Sequence, residues 1–175
     1  MRSIGFILLV LVMSPSLLAE GGSELFAAAV AGQVERVDSL LAQGADVNVK
    51  NAAGRTPLMG AASAGNVRII RKLLAFGADP NMADGRGTTP LMEAATAGFE
   101  AAAKALIAAG ADINAKDSVG ASVLDKARRS GHTRIVALLE QSGTAAPTEP
   151  AEGNKAEAKP ESEEGSGEDL KSEAK

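Results

Sequence analysis

The chain of 175 residues is 45% hydrophobic but only 2% aromatic, so it has room for one modest domain whose core is filled by Ala, Leu, Val and Gly. With no Trp or Tyr and four Phe it offers no stacking platform for bases or sugars, and small aliphatics favour closely packed helices over a thick sandwich. The net charge of −4 and the lack of cysteine speak against a polybasic nucleic-acid binder, a disulfide framework and a lipidated cysteine anchor.

Residues 1–19 have the layout of a secretory signal peptide: Arg2 as a short positive start, an apolar run over residues 4–13, then Ser14, Pro15 and the small Ala19. Ten apolar residues fall short of the roughly 20 that a spanning helix needs. The expectation is cleavage after Ala19, no membrane insertion of the product, and export to a bacterial periplasm, with the extracellular medium as the alternative. At the other end, residues 144–175 hold nine acids, four lysines and a single Leu, Leu170, which predicts a disordered acidic tail. Residues 20–143 carry thirteen acids and thirteen Lys or Arg, so the acidic balance belongs to the tail.

Between these ends the sequence repeats every 33 residues. Gly44, Gly77 and Gly110 each open a Gly-Ala-Asp, with Asn48, Asn81 and Asn114 in step. Gly32, Gly65, Gly98 and Gly131 keep the interval, as do Gly54, Gly87 and Gly120, and Ser23, Thr56, Thr89 and Ser122. The hydroxyl residues stand where a helix would start and can accept from an orphan backbone N–H. Pro57 and Pro90 follow at the first helical position, where a missing N–H costs nothing. Leu58, Ala61 and Ala62, repeated as Leu91, Ala94 and Ala95, form the apolar stripe of a short first helix. A glycine turn leads to a second helix carrying Val67, Ile70, Leu73 and Leu74, and a polar hairpin-like loop returns the chain.

The stretches GRTPLMGAA with GADPN and GTTPLMEAA with GADIN resemble the ankyrin repeat. The resemblance implies an all-α solenoid of stacked helix-turn-helix units at 23–50, 51–83, 84–116 and 117–143, the outer two serving as caps. One departure is Met59 or Met92 at the position often held by His after Thr-Pro-Leu. Unit four lacks the proline and the closing Gly-Ala-Asp, and Asp125, Lys126, Arg128 and Arg129 supply the wettable face a terminal unit needs. Unit three is expected to be thin, because Glu100 and Ala103 replace Val67 and Ile70, with Phe99 placed to fold over the gap.

A catalytic constellation is not expected. The single His132 lies in a Gly-His-Thr turn and reads as a turn cap, and Asp46, Asp79 and Asp112 recur along the stack instead of converging. Neither Gly54 nor the Gly85-Gly87 pair opens a phosphate loop, so no cofactor or metal is expected. The family resemblance implies a binding function through a concave face built from loop tips and first helices. Its candidate residues are Lys50, Arg55, Arg86, Thr88, Lys116 and Val119 at the tips, and Met59, Ser63, Met92, Glu93, Thr96, Lys126 and Arg129 on the helices. The tips are mostly basic, which suits an acidic protein partner. The expectation is a monomeric, non-enzymatic protein that stabilises or inhibits that partner; the alternatives are a secreted effector binding a host protein and, behind it, an enzyme with an unrecognised site.

Overall fold

A computed structural model describes residues 16–144. The expected leader up to residue 15 and the acidic segment from residue 145 lie outside the described residues. Eight helices follow in order: α1 (Ser16–Val30), α2 (Val34–Ala42), α3 (Pro57–Ser63), α4 (Val67–Ala75), α5 (Pro90–Ala97), α6 (Glu100–Ala108), α7 (Val123–Arg129) and α8 (Thr133–Thr144). Each unit contributes one antiparallel pair. The first helices α1, α3, α5 and α7 stack in one layer and the second helices α2, α4, α6 and α8 in the other, which gives the all-α solenoid. The return loops carry one isolated bridge, Lys116 to Ser122, and no strand among the described residues.

The first helices start where the hydroxyls stand. Thr56 Oγ1 accepts from Met59 N at 3.3 Å and Thr89 Oγ1 from Met92 N at 3.4 Å. Thr56 N in turn donates to Met59 Sδ at 3.4 Å, so the thioether takes the place of a more polar capping partner. Unit four, which has no proline here, closes a capping box instead: Ser122 Oγ accepts from Asp125 N at 3.1 Å and Asp125 Oδ2 from Ser122 N at 3.0 Å. Ser23 departs from this rule. Helix α1 begins seven residues earlier, because Leu17, Leu18, Ala19 and Glu20 are strong helix formers and extend it backwards.

Leu58, Ala61, Ala62, Leu91, Ala94 and Ala95 are buried as the stripe predicts. In α4 the buried residues are Ile69, Ile70 and Leu73, while Val67 and Leu74, at the two ends of the helix, are half-buried. The thin place in unit three is therefore Ala102 and Ala103, which replace Ile69 and Ile70 beneath the same neighbours. Glu100 lies at the surface and pairs with Lys104. Phe99 does not cover this gap. Its ring packs on the turn of unit two, where a Cβ added at Gly65 would come within 2.5 Å of it. Asn66 does the same to Gly32, and His132 to Gly98, where its Nε2 lies 3.0 Å from Thr96 O. Gly65 and Gly98 thus need both their positive φ and their missing side chain, and Gly32 its positive φ.

Two side-chain devices hold the loops, the first by fixing one loop against the next. Asn48 Nδ2 donates to Gly77 O at 3.2 Å while its Oδ1 accepts from Asp79 N at 2.9 Å. Asn81 repeats this with Gly110 O at 3.0 Å and Asp112 N at 2.7 Å. The second device lies within each loop: Oδ1 of Asn51, Asp84 and Asp117 accepts the backbone N–H groups two and four residues ahead. Asp84 is buried. Desolvation alone would raise its pKa, but the N–H groups of Thr88 and Arg86 and the charge of Arg86 outweigh it and hold the carboxyl below its ordinary 3.8.

Asn81→Ala should remove both bonds to unit three and cost about 1–2 kcal/mol in urea unfolding, whereas Asn114→Ala, followed by a unit four that lacks the closing Gly-Ala-Asp, should cost clearly less. Because the folded pKa of Asp84 is depressed, its contribution is complete above pH 3.8 and is lost as pH falls through the folded value. Asp84→Asn should keep the loop, as Asn51 does in unit two, and flatten the acid limb of a stability-versus-pH curve; an unchanged limb would remove Asp84 as its source. The missing side-chain volume at Ala102 and Ala103, worth roughly a few kcal/mol of burial, should make α6 the first helix of the inner units to exchange its amides. Equal protection of α4 and α6 would reject that order.

Candidate functional site

The loop tips and the exposed edges of the first helices form one face, and the candidate residues divide on it by depth. Lys50, Arg86, Lys116 and Arg129 are exposed, and Val119 is 83% accessible at the tip of the last loop. Thr96 is exposed and Ser63 half-buried; their hydroxyls donate back to Met92 O at 2.8 Å and Gly60 O at 2.9 Å. Thr88 is buried against the Asp84 loop. Met59 and Met92 have no accessible surface and are removed from the face. Their helices are hemmed in by the neighbouring first helix on each side and by their own second helix, so Pro57 through Ala62 is buried throughout.

Arg55 and Glu93, read from the sequence as separate partner contacts, bind each other. Arg55 Nη2 lies 2.8 Å from Glu93 Oε1, both side chains largely covered. The guanidinium carbon also sits 5.3 Å from the centroid of the Phe26 ring, within cation–π range. Phe26 in unit one, Arg55 in unit two and Glu93 in unit three thus form a strap across the first three units. Gly60 makes the space: a Cβ there would lie 2.8 Å from Val30 Cγ2 and 3.1 Å from Phe26 Cε2. Phe26 was not among the sequence candidates, although it stands 33 residues before Met59 and so in the same register.

Lys126 is likewise engaged, 2.7 Å from Asp117 Oδ2. The hydrogen bond from Lys126, helped by the N–H groups of Ala121 and Val119, outweighs desolvation and lowers the Asp117 pKa below its usual value. Beside this pair runs a groove of about 300 Å³ lined by Arg86, Thr88, Glu93, Thr96, Asp117, Ser118, Val119 and Lys126. Its charges are sorted by depth. The Asp84 and Asp117 side chains are 3% and 8% accessible and Glu93 18%, whereas Arg86, 3.6 Å from Asp84, is 77% accessible. Lys126 is also deep, at 19%, so a molecule approaching the groove meets Arg86, an exposed valine and hydroxyls, with the anions beneath Arg86.

Among the described residues no group of three or more His, Cys, Asp or Glu is placed to hold a metal ion, and no helix is long and apolar enough to cross a membrane. The family model for ankyrin repeats, in three copies, matches residues 25–117. A search of curated proteins finds no match to the chain. The match ends within the loop between α6 and α7, and the α7/α8 pair extends the same stack by a fourth unit. With the family model covering over half of the chain and the stacked helix pairs following its register, the chain belongs to the ankyrin-repeat family, whose repeats generally serve as protein–protein interaction modules.

Proposed function

We propose that this chain is exported and, in a bacterial periplasm, binds another protein through the tip and first-helix face, stabilising or inhibiting that partner without turnover. The exposed cations on that face carry the reading: Arg86 lies over the sunken carboxylate of Asp84, and Lys116 and Arg129 are also exposed, which suits an acidic patch on a folded protein. The reading of export rests on Arg2, the apolar run over residues 4–13 and Ala19. Cleavage after Ala19 would remove the first residues of α1 and leave Ser23 near the new start, where its hydroxyl can cap the helix.

Crosslinking in the native envelope, followed by identification of the captured protein, tests the reading. The captured complex should weaken several-fold from about 50 mM to about 500 mM salt, as contacts between exposed charges do when the Debye length shrinks. Arg86→Glu with Lys116→Glu should lower affinity at least tenfold, while Met59→Leu, which changes only the core, should leave it intact. Arg55→Ala should lower the melting temperature more than the affinity, since its partners are Phe26 and Glu93. Affinity indifferent to salt and to the Arg86/Lys116 reversal would overturn the electrostatic reading. Recovery of the protein from the medium instead of a periplasmic extract would overturn the location.

A further inference from the structure

The cations of units three and four have an anionic counterpart within the same chain. Residues 161–170 read ESEEGSGEDL: five acids, no lysine, and then Leu170, the one large apolar residue after residue 144. The lysines of the acidic segment all lie outside this run. On the domain, Arg86 is 77% accessible and Val119 83%, both lining the groove, with the exposed Lys116 three residues before Val119 on the same loop. Lys50, in the register of Lys116, donates to Ala83 O at 3.0 Å, and no described residue offers Lys116 the corresponding carbonyl. Cations beside a bare valine match acids followed by a leucine.

The point of departure favours the same place. A Cβ at Gly143, in the last turn of α8, would lie 3.5 Å from Ile113 Cδ1, so α8 ends against the loop that carries Val119. Six residues of chain separate Ile113 from Val119, a path of at most about 20 Å. The seventeen residues from Thr144 to Glu161 can span up to about 60 Å, so reach does not limit the contact. Tethering of this kind gives effective concentrations on the order of millimolar, and a contact too weak to detect between separate molecules is then well populated.

We infer that residues 161–170 occupy the groove between units three and four, their acids on Arg86 and Lys116 and Leu170 against Val119, as a tethered competitor of any acidic partner. The docking stands without a partner; the competition alone rests on the proposed binding function. In this arrangement the segment covers the cationic face until a tighter anionic surface displaces it.

The chain has no cysteine, so Ser166→Cys places a single spin label in the full-length protein. Paramagnetic broadening should at least halve the amide signals of Arg86, Ser118, Val119 and Gly120 at low salt and disappear by about 0.5 M salt. Replacing the five acids (Glu161→Gln, Glu163→Gln, Glu164→Gln, Glu168→Gln, Asp169→Asn) should abolish it, as should Arg86→Glu with Lys116→Glu, with the rest of the amide spectrum unchanged. Broadening confined to the end of α8, or broadening that survives both sets of replacements, would overturn the contact. If it appears equally when labelled and isotope-enriched molecules are separate chains in a mixture, the occupant is a second copy and the inference also fails. Docking by these signals, without tighter capture of the envelope partner by the five-acid variant, would leave the intramolecular contact standing and reject its competitive role.

Discussion

The interaction on which everything else rests is the lateral bond of an asparagine side chain to the backbone of the next loop. Asn48 and Asn81 each donate to a Gly carbonyl and accept from an Asp N–H of the following unit, so each loop is held in register with its neighbour by two hydrogen bonds. A helix pair of this size cannot bury its apolar faces alone and depends on the next pair for its core. The ladder sets the register of that stacking at the edge where the loops emerge. Once it is set, Asn66, Phe99 and His132 fall on the turn glycines of the preceding units, and the loop tips line up as a face.

On that face the strap of Phe26, Arg55 and Glu93 changes the meaning of the positions that differ between units. A covered ion pair gains little net stability, because desolvating both groups offsets much of the attraction, and Arg55 Nε is left buried with no hydrogen-bond partner. Its contribution is one of placement. Phe26 packs against Gly60, and so beside Arg55, only because Gly60 has no side chain, and Glu93 is available only because the corresponding position in unit three is not glycine. The substitutions between units two and three that look like recognition letters are in part complements of one another.

Much of the fold was legible in the sequence because glycine, proline and the capping hydroxyls report backbone conformation locally. Thr56, Pro57 and Gly65 each imply one event, and each event occurs where the residue stands. The site was less legible because exposure is not local. Met59 follows Leu58 and lies off the Leu-Ala-Ala stripe, which on a helix with one free side would point it to solvent; a seven-residue helix clamped from three sides has almost no free side, and Met59 is core. Arg55 reads as a loop-tip cation until Phe26, from a unit whose Thr-Pro-Leu signature is absent, is placed beside it. Ser23 misleads for the opposite reason: its own chemistry suits a cap, but the helix formers before it extend α1 past it.

Charge shows the same limit of composition in its sharpest form. The repeat region sums to zero, a balance that argues against a basic recognition surface. Yet the carboxylates of Asp84 and Asp117 are drawn inward to bind loop N–H groups, and that of Glu93 to hold Arg55, while Arg86 is left outside. The acids at the base of the tips are therefore hard for a partner to reach, whereas Asp46, Asp79 and Asp112, which turn the chain after each second helix, stay exposed. A neutral sum is compatible with an exposed Arg86 because Asp84, Asp117 and Glu93, the acids nearest to it in the groove, are held at greater depth.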